Sequence, residues 1–394
     1  MIHMMNYRDP VRVLHVIGCM NRGGVETWLM HVLRSVDRMG FALDFLVHTD
    51  SPGAYDDEIR ELGGRVIALP YPTRSFRFRY TDRFRTVLRE CGPYDVVHSH
   101  VHHFSGVVLR AASLAGVGSR ISHSHSDTSA IQAKATIARR AYLRITEDLI
   151  RRHSTKALAV SEQAGRALFP WEQQDSRCPW EVLHYGIALD PFLVLPDRTT
   201  VRRELGLDPD AVVIGHVGNL LPVKNHALLI SAFDEVSKRE PSSALLIIGA
   251  GPLQGELELQ VASKGLTERV KFLGLRSDVP RLLMGAVDVF MFPSLWEGLP
   301  LAVIEAQAAG LPIVLSDRVS REVDILPGLI HRLAIESGPE RWASVCLQAS
   351  RDRLSPALAH RGVAGSDMNI QRSVKALQEA YESSMRQGGR PRAA

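Results

Sequence analysis

The feature that most constrains the fold is a strand, glycine loop and helix opening that the chain writes twice. Val11-Arg12-Val13-Leu14-His15-Val16-Ile17 has the apolar density of a buried strand, Gly18 to Gly24 reads as a loop, and Val25 to Val36 carries a helical pattern. Far downstream, Ala211-Val212-Val213-Ile214-Gly215-His216-Val217 repeats the strand, a glycine-containing loop follows, and a helix begins at about Asn225. Further short apolar runs alternate with helical patterns at Leu43 to Val47, Val66 to Leu69, Val96 to Val97, Arg120 to Ser122 and Ala157 to Val160. The second half continues the alternation at Ala244 to Ile248, Val270 to Leu273, Val287 to Phe292 and Pro312 to Leu315. Short strands alternating with helices specify a parallel, doubly wound α/β sheet. With 394 residues and 45% hydrophobic content the chain can bury two such cores. The expected organisation is a Rossmann-like domain over 1–190, a Pro-bearing linker at 191–200, a second Rossmann-like domain over 201–366, a last helix within 367–387 and a frayed tail at 388–394.

The stretch Phe292-Pro293-Ser294-Leu295-Trp296-Glu297-Gly298-Leu299-Pro300-Leu301, with Glu305 beyond it, adds chemistry to this frame. Pro300 suits the first turn of a helix, and Gly310 followed by Pro312 would end it. The turn therefore lies at a helix N-terminus, where free N–H groups and the helix dipole favour a phosphate and Gly298 permits close approach. Eight helical residues advance roughly 12 Å through a little over two turns, so Glu297 and Glu305 face broadly the same way. A carboxylate accepts paired sugar hydroxyls with both oxygens. The spacing suits a ligand with hydroxyls at both ends and phosphate between, the layout of a nucleotide sugar. The competing reading is two exposed glutamates on an amphipathic helix. Against it, Glu305 stands among Val303, Ile304, Ala306 and Ala308, where an unpartnered charge is costly.

Together with Gly218 to His226 and Ile248-Gly249-Ala250-Gly251-Pro252, this segment resembles the retaining glycosyltransferases of family 4, the group 1 glycosyltransferases of GT-B fold, and their exopolysaccharide-type members in particular. The resemblance implies two Rossmann-like domains facing a central cleft, the first binding acceptor and the second the nucleotide sugar, with the last helix, Asn369 to Arg386, crossing back to the first domain. It implies that Glu297 contacts donor-sugar hydroxyls, that Glu305 contacts the ribose, and that the Gly298, Leu299, Pro300 and Leu301 backbone meets the sugar and diphosphate. Lys224 would place an ammonium beside the diphosphate; a solvated loop lysine is the alternative. Family members carry an arginine directly after the loop glycine, whereas this chain has Asn219 there, which removes one expected cation; Arg22 and Arg276 are candidates to replace it. The run Arg120-Ile121-Ser122-His123-Ser124-His125 is similar to the segment whose strand ends in a histidine facing the donor sugar, and strand register favours His125. His100 and His123 then fall on the acceptor side. The implied reaction moves a sugar from a nucleotide-diphosphate donor to a saccharide or lipid-linked saccharide acceptor, with retention and with no metal or other cofactor.

Asn21-Arg22-Gly23-Gly24-Val25-Glu26 also joins a strand to a helix, and Gly23 and Gly24 are candidates for close approach to a diphosphate or an acceptor. The loop lacks a GxGxxG pattern, and Gly249-Ala250-Gly251 lacks the third glycine and an acidic partner, which disfavours a nicotinamide enzyme. The histidines His98, His100, His102, His103, His123 and His125 invite a zinc reading, but the alternation in His98-Ser99-His100 is strand-like and no HExxH is present. Asp208-Pro209-Asp210 precedes a strand and reads as a turn rather than a metal-binding triplet. No metal is expected.

The formal charge is +4, but basic residues cluster in the first half: Arg74, Arg77, Arg79, Arg83, Arg85 and Arg89, then Lys134, Arg139, Arg140, Arg144, Arg151, Arg152 and Lys156. These are either solvated helix faces or a surface for an anionic membrane or acceptor, since polybasic segments gain about 1 kcal/mol per charge at anionic lipid. No known nucleic-acid-binding motif accompanies the arginines, so nucleic acid is not expected as a partner. No apolar run reaches the ~18 residues of a membrane span and Met1 to Pro10 has no h-region, so the expectation is a cytoplasmic protein, peripheral at most to the membrane. Cys19, Cys91, Cys178 and Cys346 form no CxxC pair and read as buried thiols. Two alternatives remain open: a nucleotide-sugar epimerase of the same fold, which needs no acceptor, and a binding module weakened in activity, which Asn219 suggests. The residues do not specify base, sugar, acceptor or oligomeric state.

Overall fold

The computed structural model describes residues 9–71, 79–129, 132, 135–175 and 177–387. Arg74, Arg77, Lys134 and the expected tail at 388–394 lie outside them. The chain divides into two compact units, Met1–His184 with Gln371–Ala394, and Tyr185–Ile370.

The first unit is built on seven strands: β1 (Val11–Ile17), β2 (Phe41–Val47), β3 (Val66–Ala68), β4 (Val96–Ser99), β5 (Ser119–Ser124), β6 (Lys156–Ala159) and β7 (Trp180–Val182). They lie in the order β3-β2-β1-β4-β5-β6-β7, and every pairing is parallel. Parallel strands need crossovers, and the helices that supply them cover both faces, which is why β1 is apolar at nearly every position. Leu14, Val97, Phe84 and Leu109 meet in one core of this unit. The last helix, Ile370–Gln387, belongs here for nearly all its length. Ser373 accepts from the Trp28 indole at 3.1 Å, Ser384 meets Ser119 at 2.7 Å, and the Tyr381 hydroxyl meets His98 at 3.0 Å.

The second unit repeats the plan with β8 (Val213–Val217), β9 (Ala244–Ile248), β10 (Val270–Gly274), β11 (Val289–Phe292), β12 (Ile313–Ser316) and β13 (Ile330–Leu333), in the order β10-β9-β8-β11-β12-β13. Leu229, Phe233, Leu245 and Trp342 form its core. Residues 191–200 are not a spacer: the chain passes between units at His184 and Tyr185, and 191–200 fold into the second unit. The reason is electrostatic. Arg198 and Arg202, on the helix Arg198–Glu204, reach Asp288 at 2.5 and 2.7 Å, and the buried Arg202 also donates to the carbonyls of Pro209 and Ala211.

In each sheet the order reverses direction once, between β1 and β4 and between β8 and β11. Ligands of open α/β sheets bind beyond the carboxyl ends of the strands at such switch points. Asp208-Pro209-Asp210 is a turn, with the Asp210 amide donating to Asp208 at 2.9 Å. The four cysteines are free thiols, Cys178 and Cys346 buried but Cys19 and Cys91 only half-buried. Among the described residues no helix is long and apolar enough to cross a membrane.

Candidate functional site

At the second switch point, the loops leaving β8 and β11 bring Lys224 and Glu297 together. Pro222–Lys224 is a short 3-10 turn, Asn225 turns the chain through φ 53°, and the helix His226–Arg239 begins. The amide of Leu295 donates to the Val223 carbonyl at 2.8 Å, which fixes the two loops to each other. Lys224 Nζ then donates to Glu297 Oε1 at 2.6 Å and stands 5.0 Å from the Phe292 ring centre. Side-chain exposures of 17% and 13% show a pair recessed enough to escape most solvent screening, yet reachable. A solvated loop lysine is thereby ruled out.

The strand β11 continues through buried Ser294 into Gly298, Leu299 and Pro300, all buried, and the helix Leu301–Ala308 starts one residue after Pro300. Pro300 is thus the capping residue rather than the first helical one, and no side chain caps this helix. Gly310, at φ 72°, ends it. Glu305 is half-buried on this helix, no side-chain partner meets it among the described residues, and desolvation pushes its carboxyl from 4.5 up to about 7. Such a group is short of hydrogen-bond donors.

Asn219 lies half-buried beside Gly218 and its side chain meets no partner among the described residues. Of the two candidates to replace the missing cation, Arg276 is already held by Asp278 through two bonds of 2.8 Å. Arg22 belongs to the first unit and stacks over Tyr55 at 5.7 Å. Gly249 and Gly251 have a packing role: Gly249 adopts φ 140°, and a Cβ there would lie 2.0 Å from the Gly218 carbonyl oxygen, while one on Gly251 would lie 2.6 Å from that of Leu220. The two loops touch backbone to backbone.

Three buried polar groups near the pair escaped the sequence reading. His216 donates from Nδ1 to the Met291 carbonyl at 2.9 Å, while its Nε2, both ring nitrogens of His226 and the Ser294 hydroxyl have no hydrogen-bond partner among the described residues. Only their positions, His216 near the end of β8, His226 at the start of the helix after it and Ser294 just after β11, could have signalled them.

The first switch point is different. Gly23 caps the helix Gly24–Ser35, and a Cβ on Gly23 would lie 2.2 Å from a carboxylate oxygen of Glu26; nothing lies within 4 Å of one on Gly24. The glycine makes room for the protein's own carboxylate at this helix N-terminus, and burial pushes Glu26 up to about 7. His125, His100 and His123 do meet, and His15 and His98 join them. Strand register explains it: β1 sets His15 opposite His98, and β4 sets Ser99 opposite Ser122, so the alternating histidines line one face of adjacent strands. The first unit also holds a cavity of about 820 Å³ lined by Tyr71, Phe104, Tyr142, His102, His103 and Arg139 among others, and none of the five histidines lines it.

Two parallel six- and seven-stranded sheets, each with a switch point at the end of its first strand, are the architecture of the GT-B class of glycosyltransferases. A model of the glycosyl transferases group 1 matches residues 197–357, and one of a glycosyl transferase 4-like domain matches residues 23–177. The Bacillus subtilis (strain 168) protein "Putative glycosyltransferase EpsF" is 35% identical over 382 residues, 95% of this chain and 97% of that one. The capsular polysaccharide biosynthesis glycosyltransferase CapH of Staphylococcus aureus is 26% identical over 339 residues, 85% of this chain and 89% of that one. Among solved structures, Anabaena Alr3699/HepE in complex with UDP-glucose shares the fold with a TM-score of 0.77 at 20% identity, covering 94% of this chain and 99% of that one. The chain belongs to the group 1 glycosyltransferases.

Proposed function

We propose that this glycosyltransferase moves a sugar from a nucleotide-diphosphate donor to a saccharide or lipid-linked saccharide acceptor, with retention at the anomeric carbon, in the synthesis of a cell-surface polysaccharide. The observation that carries the donor reading is the recessed Lys224–Glu297 pair at the second switch point, followed on the next helix by Glu305, which meets no side-chain partner among the described residues. Glu297 binds donor-sugar hydroxyls, Glu305 the ribose, and the Gly298 to Leu301 backbone the sugar and diphosphate. The UDP-glucose held by the Anabaena protein and the polysaccharide named for CapH support donor and pathway class.

In the reaction, the acceptor hydroxyl oxygen bonds to the anomeric carbon from the side on which the bond to the diphosphate oxygen breaks. That oxygen takes the hydroxyl proton, so no protein base is required. The chain's contribution is position and charge: Lys224, the backbone N–H groups at the start of Leu301–Ala308 and the helix dipole meet the charge on the departing diphosphate. These groups supply what a metal supplies elsewhere, which supports metal-independent transfer. His125 contributes on the sugar side, and Gly23, Gly24, His100 and His123 on the acceptor side.

A peripheral contact with anionic membrane is part of the proposal. On the helix Ile137–His153, Ile137 and Ile145 are 88% and 61% exposed, and Arg140 and Arg144 share their stripe at helical spacing.

Saturation-transfer NMR with UDP-, GDP-, ADP- and TDP-sugars identifies the donor; Glu305→Ala then weakens its binding and turnover. Unchanged affinity and turnover in that variant sink the reading, and nucleotide release that does not depend on acceptor favours an epimerase.

A further inference from the structure

The reaction outlined above gives no role to the bonds that join His125, His100 and His123 to His15, His98 and Tyr381 in one continuous chain in the first unit. His125 Nε2 meets His100 Nδ1 at 2.8 Å, His100 Nε2 meets His15 Nδ1 at 2.9 Å, and His15 Nε2 meets the Tyr381 hydroxyl at 3.4 Å. Beyond the phenol, that hydroxyl meets His98 Nδ1 at 3.0 Å, and His98 Nε2 meets His123 Nδ1 at 3.2 Å. The final atom, His123 Nε2, is buried without a hydrogen-bond partner.

Each link needs one donor and one acceptor. A neutral imidazole has one of each, and so has a phenol. Burial drives all five rings below the ordinary histidine range, so they are neutral at pH 7. Every link joins the Nε2 side of one ring to the Nδ1 side of the next, directly or through the phenol. Choosing the tautomer of any ring therefore chooses all of them: protons on every Nε2, or on every Nδ1. A mixed chain sets two N–H groups or two lone pairs against each other and leaves a buried link unmade.

We propose that this chain is a tautomer latch that holds His125 with its proton on Nε2 and a lone pair on Nδ1, and that His15, His98, His100, His123 and Tyr381 are positioning residues acting through it. The choice is made at the far end. His123 packs edge to face with Trp28, rings 5.4 Å apart at 85°. An N–H rests favourably against an aromatic face, which repels a lone pair. Nε2–H at His123 propagates through His98, Tyr381, His15 and His100 to His125. Because the chain ends at a buried atom with no partner, it fixes a state rather than conducting protons. The use of the latch in catalysis rests on the sugar-side role proposed for His125 above. The same rings have nitrogens within 4.8 Å in two sets, His15/His98/His100 and His100/His123/His125, and a bound metal would compete for the lone pairs that the links use.

The test is a long-range 1H–15N correlation spectrum of the full-length protein labelled in its imidazoles, which needs neither donor nor turnover and so fails independently of the glycosyltransferase reading. Five buried rings in the Nε2–H form are expected. Tyr381→Phe removes only the hydroxyl; it is expected to leave His98 and His123 in the Nε2–H form beside Trp28 and to release His15, His100 and His125, now cut off from that end, into a mixture of tautomers. Both tautomers among the five rings of the unsubstituted protein, or a Tyr381→Phe spectrum unchanged at His15, His100 and His125, overturns the latch. So does stoichiometric uptake of Zn2+ by the metal-free protein with shifts at these rings. Should Tyr381→Phe not fold, the spectrum of the unsubstituted protein still decides.

Discussion

The two sheets share a strand order and a switch point, but they spend their polar residues in opposite ways. At the first, glycine admits the protein's own Glu26 to the helix N-terminus, and the histidines bond to one another. At the second, Glu305 meets no side-chain partner and Ser294, His216 and His226 hold buried polar atoms without hydrogen bonds among the described residues. The first end meets most of its polar demand internally, with His123 Nε2 and Ser122 Oγ left over; the second keeps a recessed carboxylate for a ligand to meet. Shared topology therefore fixes where a site can be, while side-chain bookkeeping tells which of two equivalent ends takes the charged ligand.

The largest effect that separates the two ends is catalytic. Lys224→Ala removes the cation set against the departing diphosphate and leaves Glu297 unpaired, and transfer should fall by about 100- to 1,000-fold, with single-turnover kinetics as the measurement. Gln in place of Glu26, the carboxylate at the first end, should leave turnover within about twofold. Equal losses would show that both ends hold reacting groups.

Next is stability. Gly249→Ala forces a Cβ to within 2.0 Å of the Gly218 oxygen at φ 140°, so urea unfolding should report a loss of about 2–4 kcal/mol. Gly24→Ala meets open space at the start of a helix and should change stability by no more than about 0.5 kcal/mol.

Glu26 and Glu305 are both pushed up to about 7 by burial, yet only one is proposed to hold a ligand. In the free protein Glu305 keeps its proton to about 7 when folded and to 4.5 when unfolded, so its contribution to stability declines as pH rises between those values. Donor binding runs the other way. Two ribose hydroxyls donate to the ionised carboxylate, so affinity should fall about tenfold per pH unit below 7. Calorimetric titrations across this range should flatten in Glu305→Gln and keep their slope in Glu26→Gln; a slope that survives in Glu305→Gln assigns it to another group.

The sheet frame was legible because its central strands are continuous apolar runs: Ala244–Ile248 is observed as read, and most others shift by only a few residues. The edge strands Trp180–Val182 and Ile330–Leu333 were not read. They are short and half-buried, and His331 and Arg332 interrupt the second, because an edge strand has one neighbour and needs less apolar surface. Glu297 and Glu305 could be paired on paper since one loop and helix carry both. Lys224 joins Glu297 only through packing of distant loops. His15 was invisible as a site residue for a similar reason: its strand reads as plain core, and only register against β4 sets it beside His98.

The smallest effect concerns what the second end lacks. Asn219 stands where relatives of the same family are expected to carry arginine, its side chain has no partner among the described residues, and Arg276, one of the two candidates to replace that cation, is held by Asp278. If Lys224 carries the diphosphate charge alone, Asn219→Arg adds a guanidinium that can bond two phosphate oxygens. Its stem must extend away from Gly249, where the loops already touch, so part of the gain is lost to ordering a long side chain. A rise of about three- to tenfold in affinity for the nucleoside diphosphate is expected, measured by calorimetry at two salt concentrations and larger at the lower one. No rise at either salt would mean that the diphosphate does not lie beside this loop, and would return the contrast between the two ends to Glu297 and Glu305 alone.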